Sequence, residues 1–302
     1  MQNIKKILVA IDPTVERDCA IDRAKLIASA AGAKVNLFIN NANTLNESSY
    51  LYEGIDPEFF IKQAALYATH YQQILEKAAA EFAADNLIVS TKFHEEHNLA
   101  EAIIKQSVAV NADLVIKSTH HHNVLQRTLI SNTDWRLIRK CPAPLLLVKP
   151  NAWKANGSVV TAVDPLHAKA EQSRLDHVLV ETTEFIADVL HQQPHVFHSY
   201  FPFVSTLFSS SAELTTSLDR IRAQHEEKVR DLLASHAIAK PNIKLSMGEL
   251  APNLIEYLTE CEANMLVIGA LSRSILERAI VGDTAQEILE GCPCDVLVMK
   301  QK

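Results

Sequence analysis

The sequence predicts an α/β protein made of two doubly wound parallel-sheet domains in tandem, with five strands in each. Three observations lead there: an internal duplication, an alternation of short apolar runs with amphipathic stretches, and a length of 302 residues, which at roughly 100 to 200 residues per domain makes two. The hydrophobic content of 48% is enough to give each domain its own core.

The duplication is direct. Ile7–Pro13 (ILVAIDP) returns as Val159–Pro165 (VVTAVDP), so Asp12 matches Asp164 at an offset of 164 − 12 = 152. Ala112–Ser118 (ADLVIKS) returns as Asn264–Ala270 (NMLVIGA) at 152, and Lys140–Lys149 (KCPAPLLLVK) returns as Gly291–Lys300 (GCPCDVLVMK) at 151. Landmarks in one order and one spacing define two copies of a domain, residues 1–150 and 158–302. They join near Pro150–Gly157 (PNAWKANG), where Pro, Asn and Gly interrupt the periodic pattern.

In the first copy Ile7–Ile11 reads as a buried strand, and Ala20, Ala24, Ile27, Ala28 and Ala31 form one face of a helix ending at Gly32. Val35–Ile39 is the second strand. A long helix from Pro57 to Ala84 follows, then a strand Leu87–Phe93, a helix Leu99–Val110, a strand Leu114–Lys117, a helix Asp134–Arg139 and a strand Leu145–Val148. In the second copy Leu175, Val178, Leu179, Thr182, Phe185, Ile186 and Val189 trace the first helix, and Leu214, Leu218, Ile221, Val229, Leu232 and Leu233 the second. Right-handed crossovers between such strands give a sheet whose ligand crevice opens beyond the strands' carboxyl ends, at the switch point beside strand one. Asp12 and Asp164 sit there.

A net charge of −7 and the lack of a Lys/Arg stripe argue against nucleic-acid partners. The longest apolar runs, such as Pro144–Val148, fall far short of the ~20 residues that span a bilayer, and MQNIKKILVAIDP has no signal-peptide core. A soluble cytoplasmic chain is expected. The five scattered cysteines, Cys292-Pro-Cys294 included, predict reduced thiols and no disulfide framework.

A first strand ending in Val/Ile-Asp-Pro, a fourth strand running into a Gly-containing loop, and a final CP-x-x-LLVVK-like strand together resemble the universal stress protein domain. Ser131–Pro142 (SNTDWRLIRKCP) and Gly282–Leu289 (GDTAQEIL) are its most specific pieces, and the resemblance covers nearly the whole chain. It implies the strand order 3-2-1-4-5 of the adenine nucleotide alpha hydrolase-like class and a role in the stress response. It further implies that the fifth strands of the two domains pair into a dimer-like unit within one chain, with further homo-oligomers left open.

Many members of that family bind ATP through Gly-x2-Gly-x9-Gly-Ser/Thr after strand four. Glycines admit close backbone approach, and the N–H groups of the following helix receive phosphate oxygens. In the second copy Gly269 and Gly282 stand at the first and third glycines, 282 − 269 = 13 apart, while Ser272 takes the middle one and Asp283 the Ser position, with Thr284 one residue on. Together with Val163 and Asp164 beside the base or ribose, these form the candidate nucleotide site. A carboxylate about 4 Å from a phosphate charge costs roughly 4 kcal/mol at an effective dielectric of 20, against about 8 kcal/mol for micromolar binding. Mg²⁺ bridging Asp283 and phosphate, or Asp283 capping the helix and facing away, would relieve it. In the first copy Lys117, His120 and Ser131 hold the glycine positions and Asn132 the Ser position, so no phosphate cradle is expected and Asp12 is expected to cap the next helix.

Five of the 13 histidines, His94, His97, His120, His121 and His122, cluster after strands three and four of the first copy. His94 and His97 with His120 or His122 could ligate Zn²⁺, with Glu95 or Glu96 as an oxygen donor; the alternative is a solvated polar rim. Strands three and four stand three spacings apart in the sheet, about 14 Å, which opposes a shared metal. His195 and His198 have opposite strand parity and are poor joint ligands.

Ser199–Leu214 (SYFPFVSTLFSSSAEL) is apolar where a surface connection should be polar, and Asn41–Ile61 corresponds to it in the first copy. It either packs against protein or walls a pocket for an amphipathic, lipid-like ligand. No G-x-S-x-G, HExxH or complete Walker loop appears, so no catalytic residue is nominated. The resulting expectation is a ligand-binding sensor whose second copy takes an adenine nucleotide or an amphipathic molecule, with weak Mg²⁺-dependent ATP hydrolysis as the enzymatic alternative.

Overall fold

A computed structural model describes residues 3–41, 57–121, 128–166, 170–201, 211–269 and 283–300. The chain divides into two compact units, one of Asn3–His122 with Leu129–Pro150 and one containing Asn151–Lys302.

The first unit runs β1 (Lys6–Ala10), α1 (Cys19–Ala31), β2 (Lys34–Asn40), α2 (Pro57–Ala84), β3 (Val89–His94), α3 (Leu99–Ala109), β4 (Leu114–Ser118), α4 (Asn132–Lys140) and β5 (Leu145–Val148). Its strands lie in the order β3-β2-β1-β4-β5, all parallel, which is the expected 3-2-1-4-5 sheet. Strands β4 and β5 are buried along their whole length, as a parallel sheet covered on both faces requires. Asp18 starts α1 by accepting from Ala20 N, and Gly32 ends it in the left-handed region at φ 63°, where a Cβ would be strained.

Two boundaries differ from the periodicity. Strand β3 begins at Val89, because Leu87 N donates to Phe82 O and Asn86 takes φ 59°, so Leu87 closes the end of α2. β3 is also the edge strand and largely exposed, which weakens its apolar signal. Helix α4 begins two residues earlier than its apolar face suggests, because Ser131 and Asp134 form a capping box.

The second unit runs β6 (Ser158–Ala162), α5 (Ala170–Val189), β7 (Gln193–Tyr200), α6 (Ser211–Leu233), β8 (Ile243–Met247), α7 (Leu250–Glu260), β9 (Ala263–Gly269), α8 (Asp283–Gly291) and β10 (Asp295–Met299). Its order, β8-β7-β6-β9-β10, again is 3-2-1-4-5 and parallel. The segment leading into β6 is pinned onto this unit. Asn264 accepts from Lys154 N at 2.8 Å and donates to Lys154 O at 2.7 Å, and Trp153 Nε1 donates to Asp295 Oδ2 at 2.9 Å. Among the described residues no helix is long and apolar enough to cross a membrane.

Candidate functional site

In the first unit the carboxyl ends of β1, β2 and β4 open onto a cavity of about 370 Å³. Its floor is Ala10–Thr14 and its polar wall is Asn40, Asn41 and Lys117, with Tyr71 of α2 and Leu99 and Ile103 of α3 at the sides. The position is the switch point that the topology dictates, since β1 is flanked there by β2 on one side and β4 on the other.

Asp12 does not cap α1. Its Oδ1 accepts from Thr14 N at 2.9 Å and from Thr14 Oγ1 at 2.6 Å, closing an Asx-turn over Pro13. The cap is Asp18, which sequence reasoning passed over: Oδ1 accepts from Ala20 N at 2.8 Å while Oδ2 accepts from Asp12 N at 2.7 Å. One buried carboxylate thus starts the helix and holds the cavity floor. Burial pushes the Asp18 carboxyl above its ordinary range, and the backbone N–H groups of Asp12 and Ala20 oppose that only in part.

The first glycine position of the first unit is not merely degenerate; its Lys117 forms a buried ion pair with Asp134, two residues beyond the Ser position. Lys117 Nζ lies 3.0 Å from Asp134 Oδ1, with the two side chains 6% and 0% exposed, and donates to Ser118 O at 2.7 Å. Asp134 Oδ2 accepts from Ser131 N at 2.9 Å and from Ser131 Oγ at 2.7 Å, while Asp134 N donates to Ser131 Oγ at 3.1 Å. At the start of α4 the Asp134 carboxylate folds back onto the Ser131 N–H and hydroxyl, so the protein's own negative charge stands beside the helix terminus. The sequence signal was present in SNTD, an [ST]-x-x-[DE] capping box, and went unread.

The second unit lacks both partners. Across the sheet Gly269 pairs with Met299, the counterpart of Val148, which pairs with Ser118, so Gly269 stands in the register of Ser118 and Ile268 in that of Lys117. Asp134 is the third residue of α4, and Ala285 is the third residue of α8. Asp283 and Thr284 open α8 and are both exposed, and an acidic residue in a first turn agrees with the helix dipole. A Cβ on Gly269 would lie 2.6 Å from Leu175 Cδ2, so α5 packs directly on this glycine. Ser272 and Gly282 lie outside the described residues.

At the carboxyl end of β6, Val163 N donates to Phe197 O at 3.0 Å and Val163 O accepts from His198 Nδ1 at 2.9 Å. The Val163 backbone is thus engaged by the protein. Asp164 follows, its N–H 3.4 Å from Asp176 Oδ1. His198 Nε2 is 2.7 Å from His225 Nδ1 on α6, and both rings stack with Tyr200. With His198 Nδ1–H given to Val163 O, His198 Nε2 accepts from His225 Nδ1–H, leaving His225 Nε2 as the basic atom. His195 faces the other side, bonding Tyr257 OH at 2.8 Å, as strand parity requires. Burial lowers its basicity.

The zinc expectation finds no support among the described residues. Among the described residues no three His, Cys, Asp or Glu side chains come together as a metal ion needs. His94 and His97 are exposed beyond the edge strand β3, with His94 Nδ1 3.9 Å from Glu96 Oε2. His120 follows β4, three places away in the sheet, about 14 Å at ordinary strand spacing. His122 lies outside the described residues, as does most of the apolar Ser199–Leu214 segment, of which Tyr200 is buried and Phe201 is 70% exposed.

The model of the universal stress protein family matches residues 3–149 and again 161–300. The chain is similar to universal stress protein E of Escherichia coli K12, 27% identical over 306 residues that cover 99% of this chain and 95% of that one. It is similar to universal stress protein E of Photorhabdus laumondii, 26% identical over 304 residues, covering 99% and 96%. Among solved structures, a functionally unknown protein of Pseudomonas aeruginosa aligns over 99% of this chain and 94% of its own at 24% identity and a TM-score of 0.74. A universal stress protein of Archaeoglobus fulgidus aligns over 98% of both chains at 14% identity and a TM-score of 0.63.

Proposed function

Because the chain belongs to the universal stress protein family, with a domain of that family in each half, we propose that it is a stress-response ligand-binding protein whose carboxyl-terminal crevice accepts a phosphate-bearing, nucleotide-like ligand. One observation carries this reading: in sheet register and helix position the second unit has Ile268, followed by Gly269, and Ala285 where the first unit has Lys117 and Asp134. In the first unit the Asp134 carboxylate stands beside the helix terminus. The second has neither the lysine nor the carboxylate, so its α8 N-terminus keeps N–H groups to offer a phosphate, and Gly269 allows the backbone to come close.

Asp164 supplies the polar end of the crevice, for the base or ribose. Asp283 is the obstacle for a bare triphosphate; its exposure lets water screen it and supports the Mg²⁺ remedy, an ion shared with the phosphates. This is a binding role, with no residue assigned to catalysis. The exposed Phe201 next to buried Tyr200 favours a second reading, an amphipathic ligand with a polar head at Asp164.

Mass spectrometry of small molecules released from gently purified full-length protein separates the two. An adenine nucleotide supports the first reading and a lipid conjugate the second. Failure of ATP with Mg²⁺ to bind in titration calorimetry, together with no retained phosphorylated compound, overturns the nucleotide reading.

A further inference from the structure

We propose that Cys292 and Cys294 form a modification site, a dithiol that hydrogen peroxide converts to a reversible disulfide, and that its closure is passed to residues 151–153 at the join of the two copies. The site stands at the amino end of β10, whereas the crevice of that unit opens beyond the carboxyl ends of its strands, so it is independent of any ligand there.

Helix α8 ends at Gly291, and Cys292 N still donates to Ile288 O at 2.8 Å, so the last helical turn sets the first thiol, while Cys294 leads directly into β10 at Asp295. The two sulfurs lie 3.4 Å apart, and Cys292 Sγ lies 3.5 Å from Cys294 O. Residues two apart cannot separate their Cα atoms beyond about 7 Å, the outer limit for a disulfide. Closing to the ~2.0 Å of an S–S bond therefore takes side-chain rotation and a small shift of the turn. Both thiols are buried, but Gly291 is exposed and Pro293 half-buried, so the turn reaches the surface and an oxidant little larger than water has a short way in. The first unit shows what the pair adds. Cys141 N donates to Leu137 O at 2.9 Å as Cys292 N does to Ile288 O, yet Ala143 stands where Cys294 does, so the Cys141 turn carries no second thiol.

The chemistry balances with hydrogen peroxide as the oxidant. One thiolate of the pair attacks a peroxide oxygen: an S–O bond forms, the O–O bond breaks, and the departing hydroxide takes up a proton as water, leaving a sulfenic acid. The second thiol then attacks that sulfur. An S–S bond forms, the S–O bond breaks, and the hydroxide leaves with the thiol's proton as a second water. The two sulfurs together lose two electrons and the peroxide gains them. A disulfide closed over so short a loop is strained, and strained disulfides are the readily reduced ones. Asn151 Nδ2 donates to Pro293 O at 3.0 Å and Trp153 Nε1 to Asp295 Oδ2 at 2.9 Å, so a shift of the turn moves the groups that hold residues 151–153.

The test is treatment of the reduced, folded full chain with hydrogen peroxide, then alkylation of remaining thiols in denaturant and peptide mass mapping. A disulfide between Cys292 and Cys294 is expected, with dithiothreitol restoring both thiols and Cys141 remaining alkylatable throughout. Tryptophan emission of the folded protein is expected to shift on oxidation and return on reduction. That shift is expected to vanish in Trp153→Phe, whose remaining Trp135 lies in the first unit. Cys294→Ala rebuilds the Cys-Pro-Ala turn with which the first unit already folds, and it is expected to lose both the disulfide and the emission shift. Mass mapping of the unaltered chain decides the chemistry even if a variant does not fold. Survival of both thiols at millimolar peroxide, conversion of either to a sulfinic acid without the disulfide, or a disulfide that leaves Trp153 emission unchanged would each overturn the proposal.

Discussion

His198 and His225 share a hydrogen bond of 2.7 Å between Nε2 and Nδ1, with the far side of His198 tied to Val163 O at 2.9 Å. The pair joins β7 to α6 at the rim of the second crevice, beside Asp164. Burial first, and His198 second, hold the His225 imidazole below its ordinary value, while Asp164 pulls the other way. Proton NMR is therefore expected to find His225 titrating below about 6.5, higher in His198→Phe and lower in Asp164→Asn. For stability, a lowered histidine means the unfolded chain takes up the proton first as pH falls. The contribution is present above about pH 6.5 and is lost as pH falls through the folded value. Replacing His225 with Gln should flatten the chemical-denaturation profile across that window.

Lys117 and Asp134 are a buried pair, and truncating one partner strands the other. Asp134→Ala is expected to destabilise the protein by about 3 to 5 kcal/mol, and the Lys117→Met/Asp134→Ala double variant by clearly less than the sum of the single changes. Equilibrium urea unfolding measures this; additive losses would show the two charges to be energetically independent.

Gly269 has Leu175 packed where its Cβ would be. Gly269→Ala should cost about 1 to 3 kcal/mol through overpacking, and Leu175→Ala in the same chain should recover much of it. Thermal unfolding of the two variants, with the change in melting temperature compared, checks the contact.

Asp283 is exposed, so water screens it and its effect on a phosphate falls from the buried case to about 1 kcal/mol. Asp283→Ser is expected to tighten Mg²⁺-free ATP binding about fivefold by calorimetry, with a smaller gain when Mg²⁺ is present. Unchanged or weaker affinity without Mg²⁺ would remove the repulsion argument.

Most of the framework was legible without coordinates. Residue pairs 151 and 152 apart marked two units, and alternating periods predicted a long α2 over about residues 57–84 and β5 from Leu145 to Val148, as observed. Errors came at element ends, where hydrogen bonding rather than apolarity decides, as at Leu87 and Ser131. The candidate site was less legible. Motif comparison read Lys117 and Ser131 as departures from a glycine pattern, while the fold pairs Lys117 with the buried Asp134 carboxylate and makes Ser131 the helix cap bonded to it. The histidines that drew notice by their number, His94 and His97, are exposed rim residues, whereas His198 and His225 meet in the interior of the second unit's rim.

Chain periodicity settles strands, helices and duplication because each depends on side chains two to four residues apart, whose faces the backbone geometry dictates. Contacts between residues far apart in the chain carry no such local signature. Lys117 reaches Asp134 across the end of a sheet, His198 reaches His225 from a strand to a helix, and Asp18 serves Asp12 and Ala20 at once. Those meetings depend on how layers stack around a core, and they place the buried Lys117–Asp134 pair at the amino-terminal crevice.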